Sequence, residues 1–145
     1  LDPEQVEETG TPTDEDIHPR SLGMKYKHYA PKADMKLVRG DESAVLRYMK
    51  DRIKDCDKPM ALLTVDEHKK DLEAEANGKK GINILSLGSI KNPSSIAHNL
   101  FDILRKCDEL GVEYILSEVF DESGIGKAIM NRLKKAAGFE IIDLR

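Results

Sequence analysis

The sequence predicts a three-layer, Rossmann-like α/β domain with a mostly parallel sheet of about five strands, preceded by an extended linker. Three observations predict it. Apolar runs of strand length alternate with segments of helical periodicity from Lys36 to Leu144; the connections between them are short; and the first 35 residues are too poor in large apolar side chains to bury a core. A chain of 145 residues has room for one ordinary domain and not for two. The expected division is a linker over residues 1–35 and a folded domain over residues 36–145.

The linker has two halves. LDPEQVEETGTPTDEDIHPR is acidic and carries three prolines, whereas SLGMKYKHYAPKADM is basic and aromatic and contains Ala30-Pro31, a pair biased to extended backbone. Lys36 to Arg39 then reads as a short strand. A helix follows from about Asp41, with Asp41 or Ser43 able to cap it and Leu46, Met49 and Ile53 at helical spacing. Met60 to Val65 is a continuous apolar run between Pro59 and Asp66, the pattern of a strand covered on both faces. Asp66 to Ala76 has helical composition and few apolar positions, which suits an exposed helix.

Ile82 to Leu87 supplies the next strand and ends at Gly88. Asn92-Pro93 opens a long helix, because proline at the first helical position lacks an N–H that would be unpaired there anyway; Ile96, Leu100, Ile103, Leu104 and Cys107 fall on one side, and Gly111 stops it. Val112 to Phe120 reads as a strand, Gly124 to Ala137 as a helix with Ile125, Ile129, Leu133 and Ala136 inward, and Phe139 to Leu144 as the last strand. The order is βαβαβαβαβ. Short connections in that order give right-handed crossovers with helices on both faces of the sheet.

Charged residues make up 34% of the chain, the net charge is -4, and the signs are interspersed beyond the linker. No basic stripe of the kind that neutralises nucleic-acid phosphates is present, so no direct nucleic-acid binding is expected. No apolar run approaches a membrane span and the start lacks signal-peptide layout, so a cytoplasmic location without membrane contact is the expectation. The chain begins at Leu1, which suggests a piece of something longer. Cys56 and Cys107 stand without CxxC spacing and read as small buried hydrophobes, and no metal site is expected.

Ligands of open α/β sheets sit beyond the carboxyl ends of the strands. Among those loops, Asp121-Glu-Ser-Gly-Ile-Gly-Lys127 joins a strand to a helix and offers Ser123, Gly124, Gly126 and Lys127 as a candidate anion site. It matches neither a Walker A loop nor a dinucleotide fingerprint, since Asp121, Ala128 and Ile129 stand where those motifs need other residues, and a tight turn with a cap is the competing reading. Asp66 occupies the place of a phosphoacceptor, but Arg39-Gly40-Asp41-Glu42 offers only a loose acidic pair, and helix capping is the reading preferred for it. His18, His68 and His98 lack metal-ligand spacing and read as solvated or capping residues. In the linker, Lys25, Tyr26, His28 and Tyr29 stand within five residues: lysine meets phosphates, tyrosine stacks or hydrogen-bonds, and histidine donates to anions. Packing of this segment on its own domain is the competing explanation.

Ser21-Leu-Gly-Met-Lys-Tyr-Lys-His-Tyr-Ala-Pro31 resembles the interdomain string Ser-Pro-Gly-Met-Lys-Tyr-x-His-Tyr-x-Pro of two-domain threonylcarbamoyl-AMP synthases, with Leu22 in place of the usual proline. Gly124 to Ala137 resembles the Gly-rich turn and helix near the end of that family's second domain, and Leu104, Arg105, Asp108 and Gly111 fit its penultimate helix. The resemblance implies a family that makes threonylcarbamoyl-adenylate from threonine, bicarbonate and ATP, with release of pyrophosphate, for threonylcarbamoyladenosine in tRNA. It implies further that a YrdC-type domain, covalently linked ahead of Leu1, carries the catalytic residues and holds ATP with accompanying magnesium, and that Leu1 to Val6 are its last residues. This chain, lacking that domain's Lys-Arg and Ser-x-Asn signature, is then inactive alone; Lys25, Tyr26, His28 and Tyr29 close the neighbouring active site, and tRNA-modification proteins are candidate partners. Two alternatives stay open: a free-standing nucleotide or phosphate sensor using the Gly124–Gly126 loop, and a pure protein-interaction module.

Overall fold

The computed structural model describes residues 30–121 and 124–145, and the elements follow in the expected order. β1 (Asp34–Arg39) leads into α1 (Glu42–Lys54), β2 (Met60–Thr64), α2 (Asp66–Ala76), β3 (Ile82–Ser86), α3 (Pro93–Leu110), β4 (Tyr114–Glu118), α4 (Ile125–Ala136) and β5 (Ile141–Asp143).

Local chemistry sets the boundaries. Asp41 is extended and its carboxylate accepts the Ala44 N–H at 2.8 Å, which satisfies one of the orphan donors at the start of α1. β2 is buried at every position, as a strand covered on both faces must be. α2 buries only His68 and Leu72, which fits its sparse apolar content, and it ends on Asn77 in the left-handed conformation. α3 starts on Pro93 and stops at Gly111, whose φ of 70° few side chains tolerate.

Three expectations are corrected at the C-terminal end. The strand expected over Val112 to Phe120 is confined to Tyr114–Glu118. Ile125 points outward and is 44% exposed, while Met130 takes the inward place that 3.6-residue periodicity also allows. Phe139 belongs to the turn after α4, with φ at 64° and its N–H on the Lys134 carbonyl, so β5 is shorter than the apolar run implied.

The five strands form one wholly parallel sheet in the order β3-β2-β4-β1-β5. α1 and α2 cover one face: Val45, Met49, Ile53 and Leu72 pack with Val38, Met60, Leu62 and Leu116. α3 and α4 cover the other, where Ile96, Leu100, Leu104, Cys107, Ile129 and Leu133 pack with Leu37, Ala61, Leu63 and Ile115. The three-layer architecture is therefore the expected one. Cys107 is fully buried, whereas Cys56 is half-buried and its thiol donates to the Lys58 carbonyl at 2.8 Å. Among the described residues no helix is long and apolar enough to cross a membrane.

The strand order fixes where a site can form. β1 and β2 hand the chain to helices on one face, and β4, which lies between them, hands it to a helix on the other. Both sides of β4 are thus topological switch points, where connections diverge and leave a crevice beyond the carboxyl ends of the strands. Register places Leu63 opposite Ser117 and Val38 opposite Glu118, so the ends of β2, β4 and β1 lie level.

Candidate functional site at the carboxyl edge of the sheet

Thr64 closes β2, Glu118 closes β4, His68 sits in the first turn of α2, and Glu42 is the first residue of α1. At the switch point these four meet. The Thr64 hydroxyl donates a short hydrogen bond to Glu118 Oε2; His68 Nδ1 lies 2.9 Å from the same oxygen, and His68 Nε2 lies 2.5 Å from Glu42 Oε2. Thr64, His68 and Glu118 are buried, whereas the Glu42 side chain is 69% exposed.

The protonation state follows from the geometry. A buried carboxylate persists only with donors around it, and Glu118 has two. A neutral imidazole carries one N–H, yet both ring nitrogens of His68 face carboxyl oxygens, an arrangement that the imidazolium satisfies by donating to both. Burial alone would depress the basicity of His68; the hydrogen bonds and negative charges of Glu118 and Glu42 outweigh it and hold the pKa above the ordinary 6.5. The cluster sets a buried ring between two acids. The reading of His68 as solvated or capping is therefore corrected.

The same turn of α2 makes two more ties. Asp66 Oδ1 accepts the Ser86 hydroxyl at 2.5 Å, and Glu67 accepts the Ser89 hydroxyl at 2.6 Å and the Ile90 N–H at 3.1 Å. The Ser89 bond, seconded by that from Ile90, holds the Glu67 carboxyl below its usual value. Asp66 is no cap: Val65 occupies the N-cap position without a side-chain bond, and Asp66 is spent on the end of β3. Asp41 and Glu42, the loose acidic pair, are committed to the α1 cap and to His68.

On the opposite face, a cavity of about 350 Å³ opens between the start of α3 and the start of α4. Ile90, Ile96, Val119, Phe120 and Ile129 are among its walls, and Asp121 is its ionisable residue. Gly124 and Gly126 belong to the adjoining turn. Gly124 has φ at 55° and ψ at -130°, its carbonyl accepts the Lys127 N–H at 3.1 Å, and Gly126 is buried against Asp121. Lys127 is exposed; Ser123 lies outside the described residues, as do Lys25, Tyr26, His28 and Tyr29. An apolar chamber with a carboxylate does not fit the charge of a triphosphate. Among the described residues no group of His, Cys, Asp and Glu is arranged to hold a metal ion.

The profile of the threonylcarbamoyl-AMP synthase C-terminal domain matches residues 1–138. The chain is 37% identical over 123 residues to the threonylcarbamoyl-AMP synthase of Pyrococcus abyssi, covering 85% of this chain and 33% of that protein. With the Bacillus subtilis threonylcarbamoyl-AMP synthase it shares 33% over 130 residues, covering 90% and 35%. Among solved structures, Pyrococcus abyssi Sua5 complexed with L-threonine superposes with a TM-score of 0.66 at 33% identity, over 94% of this chain and 36% of that one. The C-terminal Sua5 domain of a hypothetical Sua5 protein from Pyrococcus horikoshii gives 0.56 at 27% identity, over 79% of this chain and 99% of that one. This chain spans about a third of the length of the curated relatives it matches. It belongs to the threonylcarbamoyl-AMP synthase C-terminal domain family.

Proposed function

We propose that the chain is the accessory C-terminal domain and active-site-closing linker of an L-threonylcarbamoyladenylate synthase, working in the cytoplasm on the route to threonylcarbamoyladenosine in tRNA. The observation that supports this reading is the match to a domain that makes up about a third of relatives bearing the name of that activity. The remaining two thirds would carry the catalytic domain, which binds ATP with magnesium, threonine and bicarbonate. Adenylation of a reactive carbamate requires that water be kept out and phosphate charge be neutralised. Lys25, Tyr26, His28 and Tyr29 supply the cation, the aromatic cover and the proton donor for closing that site, and the folded domain anchors the linker that carries them.

The test compares pyrophosphate release from ATP, threonine and bicarbonate by the full-length protein, by its N-terminal two thirds, and by this chain. The full-length protein should be active, the N-terminal portion strongly impaired, and this chain inactive. An N-terminal portion as active as the whole would remove the accessory role.

A further inference from the structure

The His68 cluster ties together the ends of β2 and β4 and the starts of α1 and α2, and one proton decides whether the tie is complete. Glu118 is fixed at the end of a central strand and shares its Oε2 between Thr64 and His68 Nδ1. Glu42 is different: it starts α1, it is largely exposed, and its carboxylate meets His68 Nε2. We propose that His68 is a proton-operated latch, whose imidazolium holds the first turn of α1, through Glu42, against the end of β4, through Glu118, and whose Nε2 proton, on leaving to solvent, frees that turn.

The groups around the ring all favour this division of labour. From α1 comes Glu42, preceded by Asp41, which is committed to the Ala44 N–H; from β4 comes Glu118; from β2 comes the Thr64 hydroxyl. On α2 itself Asp66 and Glu67 are held by Ser86, Ser89 and the Ile90 N–H, and Lys69 lies 4.0 Å from Glu73. When the proton leaves, a ring protonated at Nδ1 keeps its bond to Glu118, and the Nε2 lone pair then faces the Glu42 carboxylate with no hydrogen between them. The buried side of the cluster stays satisfied and the exposed side lets go. Hydration of the freed Glu42 costs little because its side chain already reaches water.

The experiment is an NMR titration of this chain from about pH 5 to about pH 9, the range that brackets histidine. It follows the His68 ring nitrogens and the amides of Glu42, Ser43 and Ala44. The ring should titrate above 6.5, and the three α1 amides should shift with the same midpoint. Glu42→Gln, a change at an exposed position that leaves the fold intact, should move the His68 midpoint down and abolish the α1 response. A midpoint at or below 6.5 would overturn the latch, and so would α1 amides that stay still through the His68 transition or that move equally in Glu42→Gln.

Discussion

The Cα of Gly126 faces the carbonyl oxygen of Asp121 so closely that a Cβ there would lie 1.8 Å from it. That contact leaves no room for a side chain at position 126. Gly126→Ala should therefore lower stability by about 2–3 kcal/mol through forced displacement of backbone, read as a shift in the denaturant midpoint. An alanine tolerated without loss would mean that the turn relaxes freely.

Thr64→Val keeps the shape of a buried residue and removes one of two donors to Glu118. The expected cost is about 1–3 kcal/mol, the penalty of an under-satisfied buried acceptor. Denaturant unfolding measures it. The double variant Thr64→Val, Glu118→Gln should cost less than the sum of its parts, because the charge that needed the donor is gone.

The pH dependence has two limbs of opposite sign. His68 has a raised pKa in the folded state, so its contribution is full below 6.5 and is lost as pH rises through the raised value. Asp41 and Glu67 have lowered values, so their contributions are present above the ordinary 3.8 and 4.5 and are lost as pH falls. The melting temperature should be highest in mildly acidic solution, and His68→Gln should flatten the alkaline limb alone. An alkaline limb unchanged in that variant would assign it to other groups.

The two thiols should behave differently. Burial, with the nearby charge of Asp108, pushes the Cys107 thiol up to about 11, which leaves almost no thiolate at neutral pH, whereas Cys56 is half-buried near the surface. Labelling with a small alkylating reagent should modify Cys56 in the folded chain and Cys107 only after unfolding. Equal rates would contradict the burial of Cys107.

How far the sequence predicted this depends on the range of the interactions involved. The strands Met60–Thr64 and Ile82–Ser86 and the start of α3 at Pro93 were legible because apolar runs and a proline are local signals. Strand order was not, since it rests on pairings such as Val38 with Glu118, distant in the chain. The same reason hid the His68 cluster, whose hydrogen-bonded pairs are 26 to 54 residues apart. One clue was present: Glu118 lies inside the apolar run Tyr114 to Phe120, and an acid in a buried strand requires a donor from elsewhere. His68, three residues beyond Val65 at the end of the neighbouring apolar run, was in position to be that donor.

The central claim is that this chain serves an active site on another domain, and the linker residues test it most directly. In the full-length protein, Tyr26→Ala and His28→Ala should each lower threonylcarbamoyl-adenylate formation by at least about tenfold, the scale of about 1.4 kcal/mol in transition-state stabilisation, while the melting temperature of the present chain carrying the same changes stays where it was. Turnover unchanged in both variants, with the protein folded, would contradict it.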